Sequence, residues 1–190
     1  MEKNKIINSA FQMIEKVGWE SFSLLLLSKN LKISESKLKL IYKDKESLLI
    51  GFSRMIDEKV DSLIVLEDFK DSTVKDNLFE LIMLRLEIML PYRNALKLIL
   101  FSKKIKSKTI KTISQNIINS LDFYLDLSGS YCDEKYDFLK KYPTFVIYMS
   151  TCKEWLNDSS DDLSKTMSYL DRALDFSSEL KDKISSVFVI

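Results

Sequence analysis

A chain of 190 residues with 29 Lys plus Arg against 28 Asp plus Glu is nearly neutral, so no global field draws it to nucleic acid, a membrane or an acidic partner, and any polyanion binding must be local. With 46% apolar residues, 30% charged residues, three Gly and two Pro, it has ample core material and too few breakers for a loop-rich or disordered protein. Two cysteines, Cys132 and Cys152, and no histidine argue against a disulfide framework and remove Cys/His metal spacing and His-dependent nucleophile systems.

The first periodic stretch places Ile7, Ala10, Phe11, Ile14 and Val17 at helical spacing, and Gly18 follows where a left-handed residue stops a helix. Ser23 is positioned to cap a short helix through Asn30, and Ser34 to cap another through about Ile41, because each hydroxyl can accept from a free first-turn amide. Asp44 precedes a longer helix carrying Leu48, Phe52, Met55 or Ile56, Lys59 or Val60 and Leu63, expected to reach about Leu66. After a polar connection, Ser72 or Thr73 caps a helix with Leu78, Ile82, Leu86 and Met89, which Pro91 breaks or kinks. A further helix is expected from about Tyr92 into the lysine-rich run at 103–108, and another through Ile110, Ile117, Leu121 and Tyr124, closed at Gly129.

Pro143 suits the first turn of a helix from about Tyr142 to Leu156. Ser160-Asp161-Asp162 reads as the opening of a last helix, Ser160 as its cap and the acids on its positive end, with Asp171 and Arg172 available for a surface or dimer-interface pair. The apolar tail Ser186–Ile190 is too short to assign. The whole is an all-α protein of about nine helices. No apolar run approaches the roughly 20 residues of a membrane span, and the first residues lead into an amphipathic pattern rather than a signal-peptide core.

Three short helices with a tight turn before the third describe a helix-turn-helix module. Ile7, Ala10, Phe11, Gly18 and Trp19, then Leu24, Leu27, Leu31, Ile33 and Ser34, then Leu38, Tyr42, Lys45, Glu46, Leu48 and Leu49 resemble, in register, the amino-terminal pattern of the tetracycline-repressor (TetR) family. The resemblance implies residues 1–50 as a DNA-binding three-helix module and residues 51–190 as a larger helical ligand-binding and dimerisation domain. Residues 1–50 hold nine Lys against six acids, a local excess gathered about the third helix where phosphate-neutralising groups would lie. Ser34, Ser36, Lys37, Lys39, Tyr42, Lys43 and Lys45 are the candidate DNA-binding residues.

This chain departs from the family pattern at several places. Lys32 stands where the turn usually carries Gly, Lys39 replaces a frequent aromatic, Ile41-Tyr42 replaces His-Phe, and Leu25, Leu26 and Leu40 fill places that are usually polar. No Arg, Asn or Gln lies between Ser34 and Tyr42 to make a bidentate contact with a base.

Residues 77–86, with Leu90-Pro91-Tyr92-Arg93, resemble the effector domain of a proteobacterial TetR subgroup. Residues 150–174, including Trp155, Asp158, Ser160, Asp162, Thr166 and Leu170, resemble both that subgroup and the TetR-fold lipid-binding accessory proteins of ubiquinone biosynthesis. The first likeness implies a cytoplasmic one-component transcriptional regulator, a homodimer that binds double-stranded DNA and senses a small apolar ligand. The second implies a lipid-binding accessory protein that has lost DNA binding. Met83, Leu86, Phe101, Met149 and Trp155 are the candidate ligand-pocket residues. Neither role calls for a catalytic residue, a metal or a cofactor.

Overall fold

The computed structural model describes residues 3–188 apart from 103, 133 and 134, with the backbone alone at residues 68 and 179–188. Among the described residues there are nine α-helices and no strand: α1 (Lys3–Ser21), α2 (Leu24–Leu31), α3 (Glu35–Ile41), α4 (Lys45–Leu63), α5 (Val74–Met89), α6 (Arg93–Phe101), α7 (Ser107–Leu127), α8 (Lys141–Asn157) and α9 (Ser164–Phe188). Short 3-10 turns cover Leu66–Phe69, Leu90–Tyr92 and Asp137–Leu139. Residues 189 and 190 and the side chains of 186–188, most of the apolar tail, lie outside the described residues.

Two compact units emerge, one of residues 1–62 and 88–117, the other of 63–87 and 118–190. In the first, Ile6, Ile7, Ala10, Phe11 and Ile14 form the buried stripe of α1, and Leu48, Phe52, Met55, Ile56 and Val60 that of α4. Phe11 stacks on Phe52 with centroids 4.2 Å apart, and both meet the edge of Tyr92 at 5.4 and 5.0 Å. Tyr92 sits in the 3-10 turn that Pro91 imposes on the chain after α5. Its hydroxyl donates to Asn8 Oδ1 at 2.7 Å, so the break directs an aromatic ring and a polar handle into the same core.

Local signals explain most helix ends. Ser23 accepts from Leu26 N and Ser34 from Lys37 N, as the sequence leads one to expect. Asp44 Oδ1 accepts from Ser47 N at 2.8 Å, and Ser47 Oγ accepts in return from Asp44 N, a capping box in which Ser takes the place of Glu. Thr73 caps α5 through Asp76 N. Gly18, at φ 77° and ψ 160°, interrupts the helical conformation where the sequence leads one to expect, and a further short helical turn follows it to Ser21. Two expectations are corrected in length. α4 stops at Leu63, before the 3-10 turn at Leu66, and α6 stops at Phe101, before the lysine-rich run.

The second unit buries Leu78, Leu81, Ile82, Met83 and Leu86 of α5 with Leu121, Tyr124 and Leu125 of α7, Tyr148 and Trp155 of α8, and Leu170 and Leu174 of α9. Arg85, 2% exposed, lies in this core and donates through Nε to Tyr148 OH at 3.0 Å and through Nη1 to Tyr124 OH at 3.4 Å. Asp171 and Arg172 do not pair with each other within the chain. Asp171 and Asp175, one turn apart, both take the Lys75 ammonium, at 2.7 and 2.6 Å, while Arg172 donates to its own helix at Ser168 O.

The turn between α8 and α9 is organised by Asp158, not by Ser160. Asp158 Oδ1 accepts from Ser160 N and Oγ, and Oδ2 accepts from Thr166 N and Oγ1 at 2.8 and 2.7 Å. Leu163 takes the left-handed φ of 57° just before α9 begins, and Asp162 Oδ1 accepts from Ser164 N. Burial works to raise the Asp158 pKa, but those four donors outweigh it and hold the carboxyl well below the usual carboxylate range.

Because the native value is depressed, Asp158 contributes stability above its unfolded pKa of about 4, and this is lost as pH falls through the native value. Asp158→Asn leaves one acceptor oxygen and turns two N–H donors on Thr166, so urea unfolding at pH 7 should show a loss of about 2 kcal/mol. The variant should also lose less stability than the parent between pH 5 and pH 3; equal acid sensitivity would contradict this role.

Candidate functional site

Lys32 closes α2 with φ 54° and ψ 41°, and its N–H donates to Lys29 O. A left-handed Lys costs about 1 kcal/mol that Gly would not. The turn keeps its geometry despite the substitution, because Ile33 N also returns to Ser28 O at 3.0 Å and Leu27 and Leu38 are fully buried on either side of it. α3 is thereby set across α2 with Leu38 inward. Ser36, Lys37, Lys39 and Leu40 point outward on α3, Lys43 is exposed just after it, and Leu40 is 88% exposed.

The seven candidate DNA-binding residues divide accordingly. Ser36, Lys37 and Lys43 are exposed. Lys39 is exposed, but its ammonium is 2.7 Å from Glu35 one turn earlier, which offsets its charge locally. Ser34 is exposed and spends its hydroxyl on the α3 cap.

Tyr42 and Lys45 do not face outward. Tyr42 is 6% exposed, and its ring crosses α4 at Gly51, where a Cβ would come within 2.7 Å of Cε1. Tyr42 is a core residue that only a glycine at 51 accommodates, and it leaves the set of outward-facing groups. Lys45 Nζ donates to Trp19 O at 2.8 Å and to Phe22 O at 3.2 Å, and lies 4.6 Å from the centre of the Trp19 ring. Burial lowers its pKa, with Glu46 and Glu20 acting the other way. Glu46, next in sequence, is buried and accepts from Thr109 Oγ1 at 2.5 Å. The start of α4 is therefore a structural node, and Lys45 binds protein carbonyls with its ammonium.

Sequence periodicity did not single out Leu40. Its position three residues from Lys37 and four from Ser36 was the available signal, since those spacings share one helical face. The same face carries no planar amide or guanidinium. What it offers is one hydroxyl, lysine ammoniums and an apolar tip. Leu25 and Leu26, at the start of α2, are also exposed, at 46% and 40%, so the all-apolar Leu24–Leu27 run buries only its outer members.

The five candidate pocket residues differ in exposure and lie in both units. Met83, Leu86 and Trp155 are buried in the core of the second unit, Met149 is exposed on α8, and Phe101 is exposed at the end of α6, in the other unit. The second unit has a cavity of about 400 Å³ whose apolar wall includes Leu63, Ile64, Val65, Phe69, Leu81 and Leu84, with Glu80 and Glu87 beside them. No group of acidic and cysteine side chains suited to a metal ion occurs among the described residues.

The fold is that of TetR transcriptional regulators. The crystal structure of the TetR transcriptional regulator from Nitrosomonas europaea ATCC 19718 aligns over 93% of this chain and 97% of its own with a TM-score of 0.78 at 17% sequence identity. A TetR transcriptional regulator from Rhodococcus sp. RHA1 aligns over 92% of this chain and 96% of its own, with a TM-score of 0.65 at 11% identity. No protein-family model and no curated protein matches the sequence. Among the described residues no helix is long and apolar enough to cross a membrane.

Replacing Lys45 by Met removes a charged donor from two carbonyls while keeping most of the stem. Urea unfolding should report a loss of about 1–2 kcal/mol, whereas Lys37→Met should leave stability within about 0.5 kcal/mol. Equal effects would contradict the division between an inward and an outward lysine.

Proposed function

We propose that the chain is a TetR-type one-component transcriptional regulator of the cytoplasm. It binds double-stranded DNA as a homodimer and responds to a small apolar ligand, with no catalytic step. In this reading residues 1–50 are the DNA-binding module and residues 51–190 the ligand-binding and dimerisation part. The observation that carries it is the outward face of α3, where Ser36, Lys37 and Leu40 stand exposed with Lys43 following, across a turn that keeps helix-turn-helix geometry. The likeness of the whole fold to two transcriptional regulators supports it.

Lys37 and Lys43 neutralise phosphate, which gives affinity without sequence information. Leu40 reads the base edge. An apolar tip in the major groove finds its partner in the thymine methyl group. Dimerisation is supported by α8, where Tyr142, Val146 and Met149 recur at helical spacing and are all exposed. The cavity of the second unit, whose wall joins apolar side chains with Asn77, Glu80 and Glu87, is a seat for a ligand. The lipid-binding accessory role is less favoured: it asks for exposed leucines, which α2 and α3 have, but leaves the retained lysines of the same surface without a purpose.

Duplex DNA from upstream of the protein's own coding sequence should be retarded, with affinity falling steeply as salt rises. Lys37→Ala and Lys43→Ala should each flatten the slope of log affinity against log salt by about one unit and leave stability unchanged. Unchanged slopes, or no retardation together with copurified lipid, would overturn the proposal. In the duplex bound most tightly, uracil in place of each thymine should weaken binding by about fourfold at a contacted position. Leu40→Ala should abolish that difference, and a persistent difference would remove Leu40 from base reading.

A further inference from the structure

A second cavity, of about 310 Å³, lies wholly within the first unit, between the start of α1, the end of α3 and one face of α4. That volume is at the lower end of small-molecule sites, roughly 300–1,000 Å³. Its apolar wall is Ile7, Ile41, Ile50 and Met55, its charged groups are Lys3, Arg54 and Glu58, and Asn4 and Ser47 add polar atoms. These three make no ion pair among the described residues.

Two features mark it as more than a surface dent. Tyr42 lines the cavity, and although the residue is more than nine-tenths buried its hydroxyl is not among the enclosed polar atoms and stays open to the cavity. That oxygen passes over Gly51, 3.1 Å from where a Cβ would stand, and feels the carboxylate of Glu58, another lining residue. A hydroxyl that reaches the cavity from an otherwise buried ring is both a donor and an acceptor for a ligand atom. Arg54 and Glu58 are one helical turn apart, so opposite charges project side by side with Cβ atoms about 5–6 Å apart.

We infer that this cavity binds a free α-amino acid with an apolar side chain. Its carboxylate lies between Arg54 and Lys3, its ammonium on Glu58 and the Tyr42 hydroxyl, and its side chain on Ile7, Ile50 and Met55. A simple carboxylate would meet Glu58 and a simple amine would meet Arg54 and Lys3, so each is disfavoured by one like charge. The zwitterion is opposed by neither. The site belongs to the helix-turn-helix unit rather than to the unit with the larger cavity, and it stands whether or not the protein binds DNA.

Titration calorimetry of the full chain with L-phenylalanine, 3-phenylpropanoate and 2-phenylethylamine tests this directly. L-Phenylalanine should bind at least roughly fivefold more tightly than either singly charged analogue. Glu58→Gln should weaken L-phenylalanine and strengthen 3-phenylpropanoate, and Arg54→Gln should weaken L-phenylalanine and strengthen 2-phenylethylamine. Both substitutions are at exposed positions, and the opposite response of the two analogues separates lost recognition from lost folding. Equal binding of the three compounds, no binding of L-phenylalanine, or variants that weaken all three alike would overturn the assignment.

Discussion

One ammonium group closes the segment on which the candidate interface depends. Residues 23–44 leave α1 at Phe22 and rejoin the helical body at Lys45, and Lys45 itself donates to the carbonyls of Trp19 and Phe22. The two ends of the α2–α3 segment are thus held together by a charge-assisted pair of hydrogen bonds under the face of an indole ring. Between those ends, Leu24, Leu27, Leu38 and Tyr42 fill the space beneath. Little freedom remains for α3, and the side chains that do not fit underneath, Lys37, Leu40 and Lys43 among them, are turned to solvent. Exposure of the lysine edge is therefore a consequence of packing on its opposite side.

The second unit is organised by polar groups of another kind. A depressed carboxylate at Asp158 gathers four donors and sets the start of α9, while Lys75 bridges two acids of α9 at the surface. Surface pairs of the second type contribute little to stability. The buried carboxylate matters more, since its donors have no water to turn to. With α9 placed in this way, α8 is left with an exposed apolar row that a single copy does not cover.

Much of the fold was legible in the sequence, because helix periods and caps are local. Ser23, Ser34 and Thr73 act as caps, Pro91 breaks the chain, and Lys32 takes the left-handed conformation at the place where a related pattern carries glycine. The site was legible only in part. A seven-residue helix exposes whichever side is not buried, and spacing alone does not say that Tyr42 goes down against Gly51 while Leu40 goes out. Family resemblance places Lys45 among the phosphate-contacting groups, and its two carbonyl partners, 23 and 26 residues earlier in the chain, are not visible in spacing. Ser160 was a reasonable cap by residue type, yet the organising group stands two residues before it and reaches eight residues forward to Thr166. Cavity walls depend on how helices pack against one another, which residue type and spacing do not encode.

Amide hydrogen exchange of the intact protein, with and without retarded duplex DNA, tests most directly whether the face built on Lys45 is the one that meets nucleic acid. Slowed exchange confined to residues 23–43 and the first turn of α4 is the expected result. Slowed exchange in α8, α9 or α5 with residues 23–43 unchanged would contradict it.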